Sequence, residues 1–283
     1  MDGKDISGQL GMETISSIGE SLGLSKVPKR LQKGLSSTFS TDKQEKECSI
    51  TSEYASLCML SYERPEFLYD TFGSLNASRP SHPYELIVHD DGSQDGRVRE
   101  KLISELYASK KASTVIFNSP GNNQGQGTSL NRMFTIATGD PIIKLDADLI
   151  YYAGWLAEVI RLMKENPSIG LLGLLHYHAE PVDSKDTVID RHDEWSSHTH
   201  ILGSAFAVRR KCWEELGPFS EHSHAFAEDW EFQQAVTKSK NWVCALPKED
   251  LVENPAMGYE TSMVNRTVGG ELPPIKDQPY VIR

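Results

Sequence analysis

The feature that most constrains this chain is a series of short, mostly apolar runs, each closed by small or acidic residues and followed by a helix-length stretch. "ASLCMLS" (55–61), "ELIVHDD" (85–91), "TVIFN" (114–118) and "PIIKLDAD" (141–148) read as strands. "RPEFLYDTFGSL" (64–75) reads as a helix opened by Pro65, and a polar helix covers about 95–109. Over 128–138, Leu130, Met133, Phe134 and Ala137 share one helical face, and Leu156, Val159, Ile160 and Met163 form the next such stripe. Strands that are apolar at consecutive positions are covered on both faces. Strand–helix alternation therefore predicts an α/β fold: a Rossmann-like, mostly parallel sheet flanked by helices.

Three regions follow. Residues 1–50, rich in Gly, Ser and charge, read as a flexible or partly helical extension, because Gly19 and Gly23 interrupt the helical spacing of Ile15, Ile18 and Leu22. A second reading of the extension is a short docking helix for a partner or a membrane surface. Residues 51–250 hold the folded domain, about 54–150 forming one half and 151–250 the other. Residues 251–283, with Pro255, Pro273, Pro274 and Pro279, read as an irregular tail. In the second half "GLLGLL" (170–175) and "LGSAFAV" (202–208) read as strands, "RKCWEELG" (210–217) and "AEDWEFQQAV" (227–236) as helices, and the polar stretch 176–200 as a loop.

A net charge of −11 argues against a surface built to grip nucleic acid or an anionic membrane. No apolar run is long enough to span a bilayer, and no signal-peptide core is seen. Cys48, Cys58, Cys212 and Cys244 are widely spaced without a CxxC pair, which predicts reduced thiols and a cytoplasmic setting.

In an open α/β sheet, ligands bind beyond the carboxyl ends of the strands. Those ends carry Ser61-Tyr62-Glu63, Asp90-Asp91-Gly92-Ser93, Asn118 with the Gly-rich "PGNNQGQG", and Asp146-Ala147-Asp148. Two aspartates one residue apart after a buried strand repel each other and are costly to desolvate. One bland reading is a helix cap. The functional reading is a Mg²⁺ or Mn²⁺ ion, which takes hard oxygen ligands and lets an acidic protein hold a diphosphate.

Four stretches in this order resemble family 2 glycosyltransferases of the GT-A fold: "LCMLSYERPEFL", "ELIVHDDGSQDG", "NQGQGTSLNRMFTIATGDPIIKLDADLIYYAGWL", and "GSAFAVRRKCWEELGPFSE" running into "AEDWEF". The resemblance implies a metal-dependent, inverting, hexosyltransferase-like enzyme. It would move a sugar from a nucleoside-diphosphate sugar to a hydroxyl-bearing acceptor. It implies that 54–150 is the nucleotide-binding half and 151–250 the acceptor half. Ser61, Tyr62 and Glu63 would line the nucleotide, Asp91 would accept a hydrogen bond from the base with Asp90 in support, and Asn131 would lie on the donor side. Asp146 would face the ribose or sugar, and Asp146 and Asp148 form the DxD metal site. Asp229 would be the catalytic base, with Glu228 beside it.

The chain departs from the family pattern in two places. Leu130 precedes Asn131 where arginine is common, leaving Arg132 as a substitute, and no late histidine follows His224. Glu253 and Asn254 are the oxygen ligands nearest that position. The pairs His176/His178 and His198/His200 have spacing that suits one face of a strand, and read as solvated or acceptor-side histidines. Trp155, Trp195, Trp213 and Trp230 could stack on a sugar ring; Trp155 and Trp213, in expected helices, read as core, and Trp195 as the better candidate for acceptor contact. Two alternatives carry less weight: a non-catalytic nucleotide-sugar-binding module of the same fold, and a sugar-phosphate nucleotidyltransferase. The latter lacks its basic Gly-rich loop in "SYERPEF".

Overall fold

A computed structural model describes residues 54–108, 112–176, 188–221 and 228–255. The N-terminal extension, Cys48, His178 and most of the tail lie outside these residues. The elements run β1 (Ala55–Ser61), α1 (Pro65–Ser78), β2 (Tyr84–Asp90), α2 (Gly96–Ala108), β3 (Ala112–Phe117), α3 (Gln126–Ile136), β4 (Ile142–Asp146) and β5 (Ile150–Tyr151). They continue with α4 (Trp155–Glu165), β6 (Ile169–Gly173), β7 (Val188–Arg191), β8 (Trp195–His198), β9 (Ala205–Val208), α5 (Arg210–Leu216), α6 (Glu228–Lys238), β10 (Val243–Pro247) and β11 (Val252–Glu253).

The large sheet has the order β3-β2-β1-β4-β9-β6-β10-β8-β7, and β11 pairs β5 in a separate two-stranded ribbon. The half built from β3, β2, β1 and β4 is parallel throughout. Strand β9 then inserts antiparallel between β4 and β6, and β8 and β7 extend the far edge antiparallel. The expected α/β sheet flanked by helices is therefore present, mixed in its second half.

Both faces of the sheet are buried, which explains the unbroken apolar strands. All seven residues of β1 are buried. Leu57 and Met59 point into one cluster with Leu68 and Phe72 of α1 and Val159 and Met163 of α4. Cys58 and Leu60, on the alternate positions, point into the other with Met133 and Phe134 of α3 and Phe232 of α6. Helix α1 begins with Pro65 in its first turn and buries Leu68, Thr71, Phe72 and Leu75 at three- to four-residue spacing.

Cys58, Cys212 and Cys244 are free, buried thiols. Burial pushes Cys212 and Cys244 up to about 12, so they stay protonated and inert at neutral pH. Two expectations change. The stretch 176–200 contains strands β7 and β8, and Val252–Glu253 at the start of the tail is paired to β5. Strand β7 is the exposed edge and β8 lies just inside it; both are four residues long and polar, so they leave little periodicity to read.

Candidate active site

Register brings the strand ends together. In β1, Ser61 lies opposite Asp90 of β2, and Leu60 opposite Asp146 of β4. Asp90 is in turn opposite Phe117 of β3, so Asn118 follows on the same rim. The four polar strand ends are thus neighbours because the parallel strands start and stop in step.

The turn after β2 is a closed hydrogen-bond unit. Asp90 is fully buried and accepts from Ser93 Oγ at 2.5 Å and from the Ser93 amide at 3.3 Å. Burial raises the Asp90 carboxyl above the usual carboxylate range, and the Ser93 bonds oppose that rise. Gly92 has φ +88°, and a Cβ there would meet Ser119 O at 2.8 Å, so the turn requires glycine. Asp91 accepts from Asn118 Nδ2 at 2.6 Å and from the amides of Gln124 and Gly125, each at 2.9 Å. About four acceptor positions are available to a carboxylate, and three are used here to fold the Gly-rich loop over the end of β2.

The segment after β1 is built with backbone strain. Ser61 is buried, and its Oγ makes no hydrogen bond among the described residues. Tyr62 is exposed. Glu63 and Arg64 both have left-handed φ, +54° and +57°. For non-glycine residues that conformation costs about 1–3 kcal/mol each and persists only where the surroundings enforce it. The Glu63 carboxylate accepts from the amides of Gln94 and Asp95 at 2.8 and 3.2 Å, while its own amide donates to Ser93 Oγ at 2.7 Å. The Arg64 guanidinium thereby reaches Asp148 Oδ2 at 3.1 Å. Asn254 Nδ2 donates to Asp148 Oδ1 at 3.3 Å.

Asp146 has a different cation. Lys144 lies inside β4 and is only 2% exposed. Its Nζ donates to Asp146 Oδ1 at 2.5 Å and to the Gly203 and Ser204 carbonyls at 2.6 and 3.4 Å, using all three ammonium donors. Gly203 in turn makes room for Asp229: a Cβ at Gly203 would stand 1.8 Å from Asp229 Oδ2. Asp146, Lys144, Gly203 and Asp229 are therefore consecutive neighbours, although Gly203 and Asp229 lie far along the chain from β4. Burial raises the Asp146 carboxyl; Lys144 opposes this and the charge of Asp229 adds to it.

Consecutive helical residues diverge, and the Glu228–Asp229 pair does so here. Asp229 faces Gly203 and accepts from the Trp230 amide at 2.7 Å. Glu228 is buried against the first turn of α3, 3.4 Å from where a Cβ on Gly127 would stand. Asn131 brackets the segment leading toward α6: its side chain exchanges hydrogen bonds of 2.9 Å with both backbone groups of Phe219 and donates to Glu221 at 2.8 Å. Arg132 donates to Asn118 Oδ1 at 3.0 Å, and so supports the Asp91 loop from outside.

Among the described residues no group of three or more His, Cys, Asp or Glu side chains could hold a metal ion. Asp148 supplies one carboxylate, whose two oxygens accept from Arg64 and from the Asn254 amide nitrogen, and a cation there would take the place of those donors. Mg²⁺ or Mn²⁺ commonly completes a set of one or two carboxylates with phosphate and water. Glu253, the other late candidate, is exposed and accepts from the Tyr152 hydroxyl at 3.2 Å.

Two of the histidines in the second half are engaged in the fold. His176 Nδ1 lies 2.7 Å from Asp250 Oδ1, and His198 Nε2 lies 2.7 Å from Ser196 Oγ. Burial depresses His198 to about 4, and the charges of His176, Arg191 and His200 push the same way. An unfolded histidine protonates near 6.5, so between about 6.5 and about 4 the unfolded chain binds the extra proton. Stability is therefore lost as pH falls through that window, by at most about 3 kcal/mol. His198→Gln is expected to flatten the dependence of melting temperature on pH between pH 7 and 4.5; an unchanged slope would assign the dependence to other groups.

Two residues at the rim were not identified as site residues from sequence, Arg64 and Lys144, whereas Gly203 lies in the 203–206 turn expected to build the acceptor cleft with 176–200 and Asp229. Of the two, Lys144 left a signal, a charge inside an otherwise apolar strand, where lysine is almost never buried without a partner. Trp195, expected to be free for an acceptor, stacks on His192 at 3.8 Å and donates to Asn166 at 3.1 Å.

The chain is 26% identical over 136 residues to an uncharacterised glycosyltransferase of Nostoc sp., covering 48% of this chain and 39% of that one. It is 28% identical over 120 residues to the uncharacterised glycosyltransferase YfnE of Bacillus subtilis, covering 42% of this chain and 29% of that one. It thus spans well under half the length of these relatives. Among solved structures, its fold is similar to the mannosyltransferase PcManGT of Pyrobaculum calidifontis in complex with GDP-Man and Mn²⁺, with a TM-score of 0.56, 16% identity, and 78% of this chain and 66% of that one covered. A second is GalNAc-T7 with UDP, GalNAc and Mn²⁺, at a TM-score of 0.57 and 17% identity, covering 69% of this chain and 42% of that one. With strand ends, Gly-rich loop and paired aspartates arranged as described, and with the model of glycosyl transferase family 2 matching residues 56–220, the chain belongs to that family.

Proposed function

We propose that the protein is a metal-dependent, inverting glycosyltransferase that moves a hexose from a nucleoside-diphosphate sugar to an acceptor hydroxyl. The observation that carries the reading is the approach of Asp229 to the Asp146 rim across Gly203. A base drawn from α6 meets a donor site built from β1, β2 and β4, as attack opposite the leaving group requires.

In this reading Ser61, Tyr62 and Glu63, with the Asp90–Asp91 turn, form the nucleotide side of the cleft. Asp91 keeps its remaining acceptor position for the base. Asp146, held by Lys144, faces the sugar, and Asp148 would hold Mn²⁺ or Mg²⁺ in place of its bonds to Arg64 and the Asn254 amide. The ion, when bound, offsets charge on the departing diphosphate. Arg64 stands within reach of the same phosphates. Asp229 takes the acceptor proton, and Glu228 anchors the base-bearing turn on α3. Asn131 fixes the 219–221 segment from the other side.

A thermal-shift panel of nucleoside diphosphates and their sugars, with and without Mn²⁺, tests this. A specific ligand at a hundred times its Kd adds about 2.7 kcal/mol of apparent stability, a shift of several degrees. A nucleotide shift that grows with Mn²⁺, with release of the nucleoside diphosphate in the presence of acceptors, is the expected outcome. Absence of any shift across the panel would end the assignment. One observation favours a second reading, a non-catalytic binding module: Arg64 and Lys144 already neutralise both aspartates of the DxD pair. Nucleotide binding with no turnover would select it.

A further inference from the structure

We propose that Trp230, braced by His200, is a stacking platform for a pyranose ring, so that the acceptor is a saccharide. This rests on the reading of Asp229 as the base and adds the class of molecule whose hydroxyl it serves.

Trp230 follows Asp229 in the first turn of α6 and is 48% exposed. The chain has five tryptophans, and the other four are engaged. Trp155 is buried in the core, Trp213 packs on Phe134 at 5.7 Å, and Trp242 donates to Glu215 at 2.7 Å. Trp195 is stacked on His192. The one tryptophan presented to solvent is thus the one bonded through its own amide to the candidate base.

The surroundings hold this ring in place. His200 meets it at 5.4 Å and 61°, an edge contact that leaves ring surface uncovered. The link from β8 to β9, which carries His200, is stitched to α6 at two points. Ile201 N donates to Gln233 Oε1 at 2.7 Å, and Thr237 Oγ1 donates to Thr199 O at 3.0 Å. Trp230 therefore sits at the start of a helix bonded to the link that carries His200, with about half of its surface in water.

A sugar ring fits this surface chemically. One face of a pyranose presents polarised C–H groups, which the negative face of an indole attracts, while the hydroxyls project outward from the ring's rim. A ring laid on Trp230 would stand beside the first turn of α6, which also carries Asp229. A flexible polyol or a peptide hydroxyl has no flat C–H face to use in this way.

The test is saturation-transfer NMR on the full-length protein with methyl β-glucoside, methyl β-galactoside, methyl α-mannoside and their disaccharides. Wild-type protein is expected to saturate the ring C–H protons of at least one of them. Trp230→Ala should weaken that binding roughly tenfold, as loss of an aromatic contact implies, and Trp230→Phe should retain most of it. Melting temperatures within a degree or two of wild type show that both variants fold; if Trp230→Ala does not, the Phe variant and a His200→Ala variant carry the comparison. No glycoside bound by wild type, or equal binding by Trp230→Ala, overturns the platform. Nucleotide binding measured on wild type reports separately on the glycosyltransferase reading. A protein that binds nucleotides but shows no Trp230-dependent glycoside contact loses the platform alone, and one that binds no nucleotide loses the parent reading.

Discussion

Asp229→Asn is expected to lower sugar transfer by about 10²–10⁴, the range that a positioned general base contributes, and to leave donor binding intact. Asparagine keeps the shape that fits against Gly203 and an oxygen for the Trp230 amide, and removes only the ability to take a proton. The measurement is single-turnover release of the nucleoside diphosphate in the presence of acceptor, beside a thermal shift with donor alone. Transfer at the wild-type rate would take Asp229 out of the chemistry. Loss of donor binding as well would mean that the substitution had disturbed the rim, and would leave its role as base without support.

Lys144→Met should have the largest effect on stability. Methionine matches the length of the buried stem but leaves Asp146, Gly203 O and Ser204 O without their shared donor. Removing one partner of a buried ion pair costs about 3–5 kcal/mol. The Asp146 side chain keeps 27% of its surface exposed, so hydration reduces this to about 2–3 kcal/mol. For a domain of this size that is a fall in melting temperature of roughly 5–10 °C. Adding Asp146→Asn should recover much of the stability, because no buried charge is then left unpaired, while transfer stays low. Equal melting temperatures for wild type and Lys144→Met would show that the pair holds nothing in place.

The pair also explains how acids crowd one edge of the sheet. Asp146 is compensated from inside by Lys144, and Asp148 from the β1–α1 turn by Arg64. Two internal cations thus do part of what a bound ion alone was expected to do. Arg64 reaches its partner only because Glu63 and Arg64 hold left-handed conformations, fixed by bonds to Ser93, Gln94 and Asp95.

The first half of the domain was legible because burial on both faces leaves an unmistakable trace. "ASLCMLS" reads as a strand and forms β1 over the same residues, and the 3.6-residue stripes of α1, α3 and α4 lie where they were expected. Strands β7 and β8 were not legible. Only β7 lies at the solvated edge, but both are short and polar, and β8 finds its partner, β10, some fifty residues downstream. Trp195 was expected to be free for an acceptor and is stacked on His192. Sequence shows that an aromatic is present, but not whether another side chain already covers it.

By itself the sequence determined the α/β class, the strands and helices of the parallel half, and the collection of acids and small residues at the strand ends, because these depend on local periodicity and turn chemistry. Only the tertiary structure decided which distant residues meet. Arg64 on Asp148, Gly203 under Asp229 and Asn131 on Phe219 join residues from 26 to 88 positions apart. Such contacts are set by strand register and helix packing, which no local pattern of residues encodes.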